Sequence, residues 1–176
     1  MRLEQKSPEV FLSLDDIASI GQKEIDLLKT SVEKSALGRV RINLHPSSDD
    51  TLHEMFIVIK HGSYIRPHKH PNKSEAFHLV HGEVLVVIFT DEGDIHKVVH
   101  LKANSPDKPF YYRMSKPYFH TVIILSDILI MHEITNGPFI PGGTLFASFA
   151  PDDKNAQAIQ AFQSQLQQRI QLKETV

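Results

Sequence analysis

Two histidines and a glutamate lie close together in one short stretch of the chain. One residue separates His68 from His70, and Glu75 follows the turn-rich segment 71–74. In an extended strand alternate side chains share a face, so both imidazoles would point the same way, about 7 Å apart at their Cα atoms. Imidazole nitrogen and carboxylate oxygen are ligands that suit divalent first-row metals. The stretch therefore predicts a metal site.

The lack of cysteine narrows the chemistry of such a site. The sequence contains no cysteine, which excludes disulfides and thiolate ligands and leaves His, Asp and Glu as the strong protein ligands. The 11 histidines are scattered between positions 45 and 132 instead of forming a tract, so only a few of them can be ligands. We expect one divalent transition metal, which could be Fe, Mn, Ni, Co or Zn.

Composition and charge limit the partners and the compartment. Net charge is −2, with both signs mixed along the chain, and this gives no electrostatic surface for nucleic acid or an acidic membrane. The first residues lack the unbroken apolar region of a secretory signal, and no segment approaches the ~20 apolar residues of a membrane span. We therefore expect a cytoplasmic protein without nucleic-acid or membrane partners.

The hydrophobic pattern divides the chain into three segments of one predicted domain, residues 1–176. A length of 176 residues with 41% hydrophobic content suffices for one core and is short for two. Residues 1–38 are predicted to form an arm with a short strand and a helix. Residues 39–150 contain regularly spaced apolar runs, which are typical of strands in a sandwich or barrel. Residues 151–176 carry one apolar stripe and predict a C-terminal helix.

Local signals give the first expectations for where these elements begin. The apolar residues 10–12 predict an edge strand. Asp15 or Asp16 can accept a hydrogen bond from the first turn of a helix and would start the N-terminal one. Asp152 or Asp153 would start the C-terminal helix in the same way.

The metal-site stretch also resembles a known motif. Its spacing Gly-x5-His-x-His-x4-Glu-x6-Gly, from Gly62 to Gly82, resembles the first motif of the cupin superfamily, small jelly-roll-like barrels of the double-stranded β-helix type. The resemblance implies one more histidine ligand in a second motif, and His120 stands in its place. Three residues differ from that second motif: Ser115 for proline, Pro117 for glycine and Ile124 for asparagine. The implied metal ligands are His68, His70, Glu75 and His120.

The flanking sequence narrows the resemblance. Six segments between about residues 35 and 153 carry it: 39–45, 67–71, 119–121, Glu133, 137–139 and 146–151. Together they resemble the WbuC family of cupin-fold metalloproteins. Members of that family are often associated with gene sets for bacterial O-antigen and other surface polysaccharides. The resemblance thus implies an all-β cupin with flanking helices and a role in polysaccharide biosynthesis.

A polar strand face and several nearby residues could form a pocket. Polar and apolar residues alternate along 39–45, so a strand there would have one cationic face. That face either contacts solvent or lines a pocket in which arginines bind carboxylate or phosphate. The family resemblance favours the pocket. The residues predicted to line it are Arg39, Arg41, Asn43, Lys60 and Tyr64.

Glu133 is the predicted catalytic residue. It alternates with His132 in an apolar run and points either to solvent or inward. If it points inward beside a metal, loss of contact with water would raise its pKa and suit it to proton transfer.

These features leave several functions open. The WbuC resemblance favours a metal-dependent isomerase or epimerase acting on a sugar or sugar nucleotide. The same ligands would serve an iron-dependent dioxygenase. A non-catalytic module that binds a sugar or nucleotide sugar and a structural dimer stiffened by its metal are further alternatives. In each case we expect a homodimer, as many cupins form, and in the first three a small-molecule ligand such as a sugar or carboxylate.

Overall fold

The computed structural model of the protein describes residues 1–174, which contain twelve strands and two helices. The strands are β1 (Leu3–Ser7), β2 (Val10–Ser13), β3 (Arg39–Asn43), β4 (Leu52–Lys60), β5 (His68–Lys69), β6 (Glu75–His81), β7 (Glu83–Phe89), β8 (Ile95–Lys102), β9 (Tyr111–Met114), β10 (Phe119–Ile124), β11 (Ile128–Asn136) and β12 (Leu145–Phe146). The helices are α1 (Gln22–Val32) and α2 (Ala156–Glu174).

The strands form two sheets. One has seven strands in the order β1-β2-β3-β4-β11-β6-β9, and the other has five in the order β12-β5-β10-β7-β8. Neighbouring strands of the described chain run antiparallel, apart from the parallel pair β2 and β3. The expected mainly β architecture with flanking helices is confirmed. The sheets remain separate in the described residues, so closure into a barrel stays a prediction.

The main core lies between the two sheets. Alternation along β4 turns Met55, Ile57 and Ile59 inward, where they pack with Val84 and Val86 of β7. Each such side chain contributes about 1.5–3 kcal/mol by leaving water. This layer holds the inner faces of the sheets together and positions the polar residues at the same level.

Helix α1 covers the outer side of the larger sheet. Its Leu28 and Val32 are fully buried against Val40 of β3. The predicted start at Asp15 or Asp16 is wrong, because the helix begins after Gly21, whose N–H donates to Glu24 at 3.0 Å. Asp15 instead accepts hydrogen bonds from the backbone and the guanidinium of Arg2.

Helix α2 packs on the outer side of the smaller sheet through Leu166 and Ile170. It begins at Ala156, and the side chain of Asn155 accepts a hydrogen bond from the N–H of Ala158 at 3.0 Å. The predicted start at Asp152 or Asp153 is therefore wrong. Residues 175 and 176 of the predicted helical segment lie outside the described residues.

The N-terminal strands also differ from expectation. The predicted edge strand at residues 10–12 is β2, which lies between β1 and β3 rather than at the edge. Strand β1 takes the edge position, although its mostly polar sequence has no apolar alternation. Neither described helix is long and apolar enough to span a membrane.

Candidate metal centre

The four predicted metal ligands come together at one end of the space between the sheets. His68 of β5 and His120 of β10 are directly opposite in adjacent strands, with ring centroids 4.6 Å apart. His70 follows β5, and its ring centroid lies 5.0 Å from that of His68. Glu75 begins β6 in the other sheet and is buried. Three imidazoles of one layer thus face a carboxylate of the other.

The carboxylate of Glu75 contacts one of the rings and lies near a second. Its Oε2 lies 2.8 Å from Nε2 of His120, and its Oε1 lies 4.0 Å from Nε2 of His70. Oε2 nevertheless has no hydrogen-bond partner among the described residues, so the contact with His120 is too poorly aligned for one. Within residues 1–174 no set of three or more potential ligands already forms a metal shell. The four groups must therefore adjust to hold an ion.

Backbone and hydroxyl oxygens fix the far side of each ring. The Nδ1 atom of His68 lies 2.8 Å from the carbonyl oxygen of Arg66, and that of His120 lies 3.1 Å from the carbonyl oxygen of Tyr118. A carbonyl can only accept, so Nδ1 carries the proton and Nε2 of the neutral ring keeps its lone pair. Nδ1 of His70 lies 3.2 Å from Oγ1 of Thr144.

The protonation of these groups follows from burial and from one carboxylate. Burial lowers the pKa of His68 to about 4 and also lowers the pKa of His70, so both rings are neutral at pH 7. Burial alone would lower the pKa of His120, but the Glu75 carboxylate outweighs it and the pKa lies above its ordinary value. For Glu75, burial opposes ionisation, but the neighbouring imidazoles, His120 above all, outweigh it and hold the pKa below its usual range. Glu75 is therefore a buried anion, and His120 is the ring beside it that can carry a balancing proton.

The residues fit a divalent transition metal. Nitrogen and oxygen donors at ~2.1 Å from one ion lie about 3 Å from each other, close to the observed 2.8 Å between Glu75 and His120. Anchoring of the remote ring nitrogen is the usual support for metal-binding histidines. The unpartnered oxygen of Glu75 would gain a partner, and its buried charge would be balanced.

Glu133 also faces the space between the sheets. It lies opposite Met55 in β4 and Phe77 in β6, both core residues, so its side chain shares their inner face. Burial raises the pKa of Glu133 to about 8, and the Glu75 carboxylate acts in the same direction. This carboxyl is therefore largely protonated at pH 7.

The polar face of β3 points to the same inner side. Arg39, Arg41 and Asn43 lie opposite Ile59, Ile57 and Met55 of β4. Arg41 is exposed, whereas Arg39 and Asn43 are half-buried. Oδ1 of Asn43 is buried without a hydrogen-bond partner in the described chain.

The structure does not bring Lys60 and Tyr64 to this group. The ammonium of Lys60 contacts Glu33 after α1 at 2.7 Å, because its position in β4 turns it to the outer face. The hydroxyl of Tyr64 donates to the carbonyl oxygen of Pro151 at 2.8 Å, and its ring meets the edge of Phe162. Tyr64 thus anchors the segment that leads into α2.

Two further residues lie near the centre: Thr144, which carried no signal in the sequence, and Tyr112, one of several aromatic residues that would either edge a pocket or pack in the core. Thr144, which contacts His70, lies 74 positions further along the chain. Tyr112 has a buried hydroxyl without a hydrogen-bond partner among residues 1–174. Only the pairing register of β6 and β9 shows that Tyr112 and the core residue Phe77 share a face.

Comparison with known proteins bears on the fold. Residues 20–101 match a family model described as a domain of unknown function, DUF6016. No curated protein sequence matches the chain significantly. A solved structure from Shewanella oneidensis, 11% identical, aligns with a TM-score of 0.55 over 69% of this chain and 82% of its own.

Two similar structures are enzymes. An oxalate oxidase with the substrate analogue glycolate is 18% identical and has a TM-score of 0.50, over 64% of this chain and 56% of its own. The salicylate 1,2-dioxygenase of Pseudoaminobacter salicylatoxidans with gentisate is 14% identical and has a TM-score of 0.54, over 73% of this chain and 37% of its own. Both are cupins. The chain has the cupin fold.

Proposed function

We propose that the chain is a metal-dependent cupin enzyme that acts on a small, oxygen-rich metabolite. One divalent transition metal would be held by His68, His70, Glu75 and His120. The proposal depends on the buried, unpartnered oxygen of Glu75, which faces imidazoles whose remote nitrogens are already fixed. A bound metal would supply Lewis acidity toward a carbonyl or hydroxyl group of the substrate.

Glu133 is the proposed proton-transfer residue. Its pKa of about 8 lies near neutral pH, where a carboxyl can both give and take a proton efficiently. Its inner-face position opposite Phe77 turns it toward the space beside Glu75. In the resting protein the carboxyl would hold a proton and donate it to a substrate oxygen.

Arg39, Arg41 and Asn43 are proposed to bind the far end of the substrate. They lie on the inner face of β3, and Arg41 is exposed to solvent. Guanidinium groups bind carboxylate or phosphate in a bidentate manner, so the substrate would be an anion.

The resemblance to the WbuC family favours a sugar or sugar nucleotide and a reaction such as isomerisation or epimerisation in surface-polysaccharide biosynthesis. The protein would then be a cytoplasmic homodimer. A second candidate is an iron-dependent dioxygenase, because one similar fold is that of the salicylate 1,2-dioxygenase.

Metal analysis of protein purified without a histidine tag tests the centre. We expect up to one equivalent of metal, or uptake of one equivalent on titration, and its loss in His68→Ala and His120→Ala. His61→Ala is the matched control, because His61 is exposed and lies outside the ligand set. Less than about 0.2 equivalents with no uptake on titration would contradict the proposal.

A further inference from the structure

We propose that Tyr112 is a substrate-binding residue, and that its hydroxyl donates a hydrogen bond to an oxygen of the ligand that occupies the metal centre. The inference rests on the proposed function, because it requires a ligand beside Glu75. It adds a requirement for the substrate, which must offer a second acceptor oxygen close to the one that binds the metal. Hydroxy acids, oxo acids and polyhydroxy compounds meet this requirement.

The position of Tyr112 follows from the pairing of β9 with β6. Tyr112 lies opposite Phe77, and Glu75 lies opposite Met114, so Tyr112 and Glu75 are diagonal neighbours on the inner face. Such neighbours are about 7–8 Å apart at their Cα atoms, which is within reach of an aromatic side chain. The edge of the Tyr112 ring meets Phe77 at a centroid distance of 5.2 Å. Core packing thus fixes the ring beside the centre.

The hydroxyl group at the end of this ring is the unusual feature. Tyr112 is only 8% exposed, and its hydroxyl has no hydrogen-bond partner among the described residues. A buried hydroxyl without a partner is unfavourable, so native proteins seldom keep one unless a ligand or an ordered water satisfies it. Phenylalanine would fill the same core position without this cost. The presence of the hydroxyl is therefore best explained by a bound molecule.

The surroundings determine what the hydroxyl can do. Burial, and then the carboxyl groups of Glu75 and Glu133, hold the pKa of Tyr112 far above its ordinary value. The phenol consequently stays protonated and is a poor general base. It can donate a hydrogen bond from the inner face on which Glu75 and Glu133 also lie. A donor beside a metal matches a ligand with two adjacent acceptor oxygens, one for the metal and one for the phenol.

The test compares Tyr112→Phe with Tyr111→Phe in cobalt-substituted full-length protein. Tyr111 is the neighbouring residue in β9, but it is exposed on the outer face. Glycolate, oxalate and 2-oxoglutarate are titrated while the visible absorption of Co²⁺ reports binding at the metal. We expect dissociation constants about ten times higher for Tyr112→Phe, as for one lost hydrogen bond to a charged group, and unchanged values for Tyr111→Phe.

Thermal unfolding of the metal-free variants provides a second readout. If the hydroxyl lacks a partner inside the protein, Tyr112→Phe should unfold at the same temperature as the wild type or higher. A lower temperature would show that the hydroxyl has a structural partner and would overturn the inference.

The binding data separate two kinds of failure. A wild type that takes up no cobalt contradicts the proposed metal centre itself. A wild type that binds cobalt but none of the three acids, or binds them no better than Tyr112→Phe does, overturns the role of Tyr112 and leaves the metal centre standing.

Discussion

Glu133 differs from the other carboxyl groups because the fold keeps it protonated near neutral pH. Burial raises its pKa to about 8, whereas the pKa of a glutamate side chain in the unfolded chain is near its ordinary value of 4.5. Between pH 4.5 and about pH 8, Glu133 releases a proton when the protein unfolds. Raising the pH in this range therefore favours the unfolded state. The contribution of Glu133 to stability is therefore greatest below about pH 4.5 and declines up to about pH 8.

Replacing this carboxyl should separate its chemistry from metal binding. We expect Glu133→Gln to keep its metal and to lose turnover of the substrate by about 10²–10⁴-fold, the usual size of a general acid–base contribution. In metal-free protein the substitution should also reduce the pH dependence of the unfolding free energy, by up to about 1.4 kcal/mol per pH unit between pH 5 and 7.5. Urea unfolding at several pH values measures the second effect. An unchanged slope would contradict the buried, protonated state.

Metal affinity should fall as the pH is lowered. The pKa of His120 is raised by Glu75, so a proton competes with the metal for this ring below that pKa. Protonated imidazole cannot bind a metal, and each proton displaced costs up to about tenfold in affinity per pH unit. Metal titrations at pH 6, 7 and 8 check this expectation. Equal affinity at all three would exclude His120 as a ligand.

Gly62 and Gly82, the two glycines of the motif, both have positive φ but differ in how closely their surroundings pack. Gly82 joins β6 to β7 with φ of 93°, and an added Cβ would lie 2.5 Å from the carbonyl oxygen of Ile128. Gly62 has φ of 78°, but an added Cβ would meet nothing within 4 Å. Strain from positive φ is common to both positions, whereas the steric clash is specific to Gly82.

We therefore expect Gly82→Ala to destabilise the protein by about 2–4 kcal/mol and Gly62→Ala by about 1 kcal/mol. Chemical denaturation of both variants measures the difference. Equal losses would mean that the hairpin at Gly82 relaxes without cost.

Helix α1 offers a similar comparison on one surface. Leu28 is fully buried against the larger sheet, whereas its neighbour Leu27 is 37% exposed. Leu28→Ala should cost about 2–5 kcal/mol because it leaves a cavity, and Leu27→Ala should cost well under half of that. Comparable costs in thermal unfolding would contradict the packing of α1 on β3 and β4.

Short spacing determines the position of three of the residues that we predict as ligands. His68, His70 and Glu75 are close in the chain, and alternation along one strand and one turn suffices to bring them together. The inner direction of Arg39, Arg41 and Asn43 also followed from alternation, but which face was inner depended on the family resemblance.

Other positions depend on pairing between distant parts of the chain. Lys60, predicted to line the pocket, contacts Glu33 from the outer face of β4. The inward direction of Tyr112 follows only from its register with β6. The sequence predicts that Asp15 caps a helix, but its carboxylate accepts a hydrogen bond from Arg2, which precedes β1. The spacing of neighbouring residues in the sequence does not predict which distant residues pair.

In the whole molecule, the proposed ion would connect the two sheets. Removing it with a chelator should lower the unfolding free energy by RT ln(1 + [metal]/Kd), about 2.7 kcal/mol when free metal is a hundred times Kd. Thermal unfolding with and without chelator checks this, and His68→Ala should show little response to the chelator. A wild type insensitive to chelation would argue against a bound metal in the folded state.

Glu75 belongs to the larger sheet, and the imidazole groups that meet it belong to the smaller sheet and its β5 turn. An ion held between them would link the two sheets, so that neither sheet could separate from the other without the loss of metal ligands. Amide hydrogens of β5, β6 and β10 should then exchange with deuterium more slowly, and by similar factors, once metal is added. The far ends of the same layers, around β1 and β8, should keep their original exchange rates.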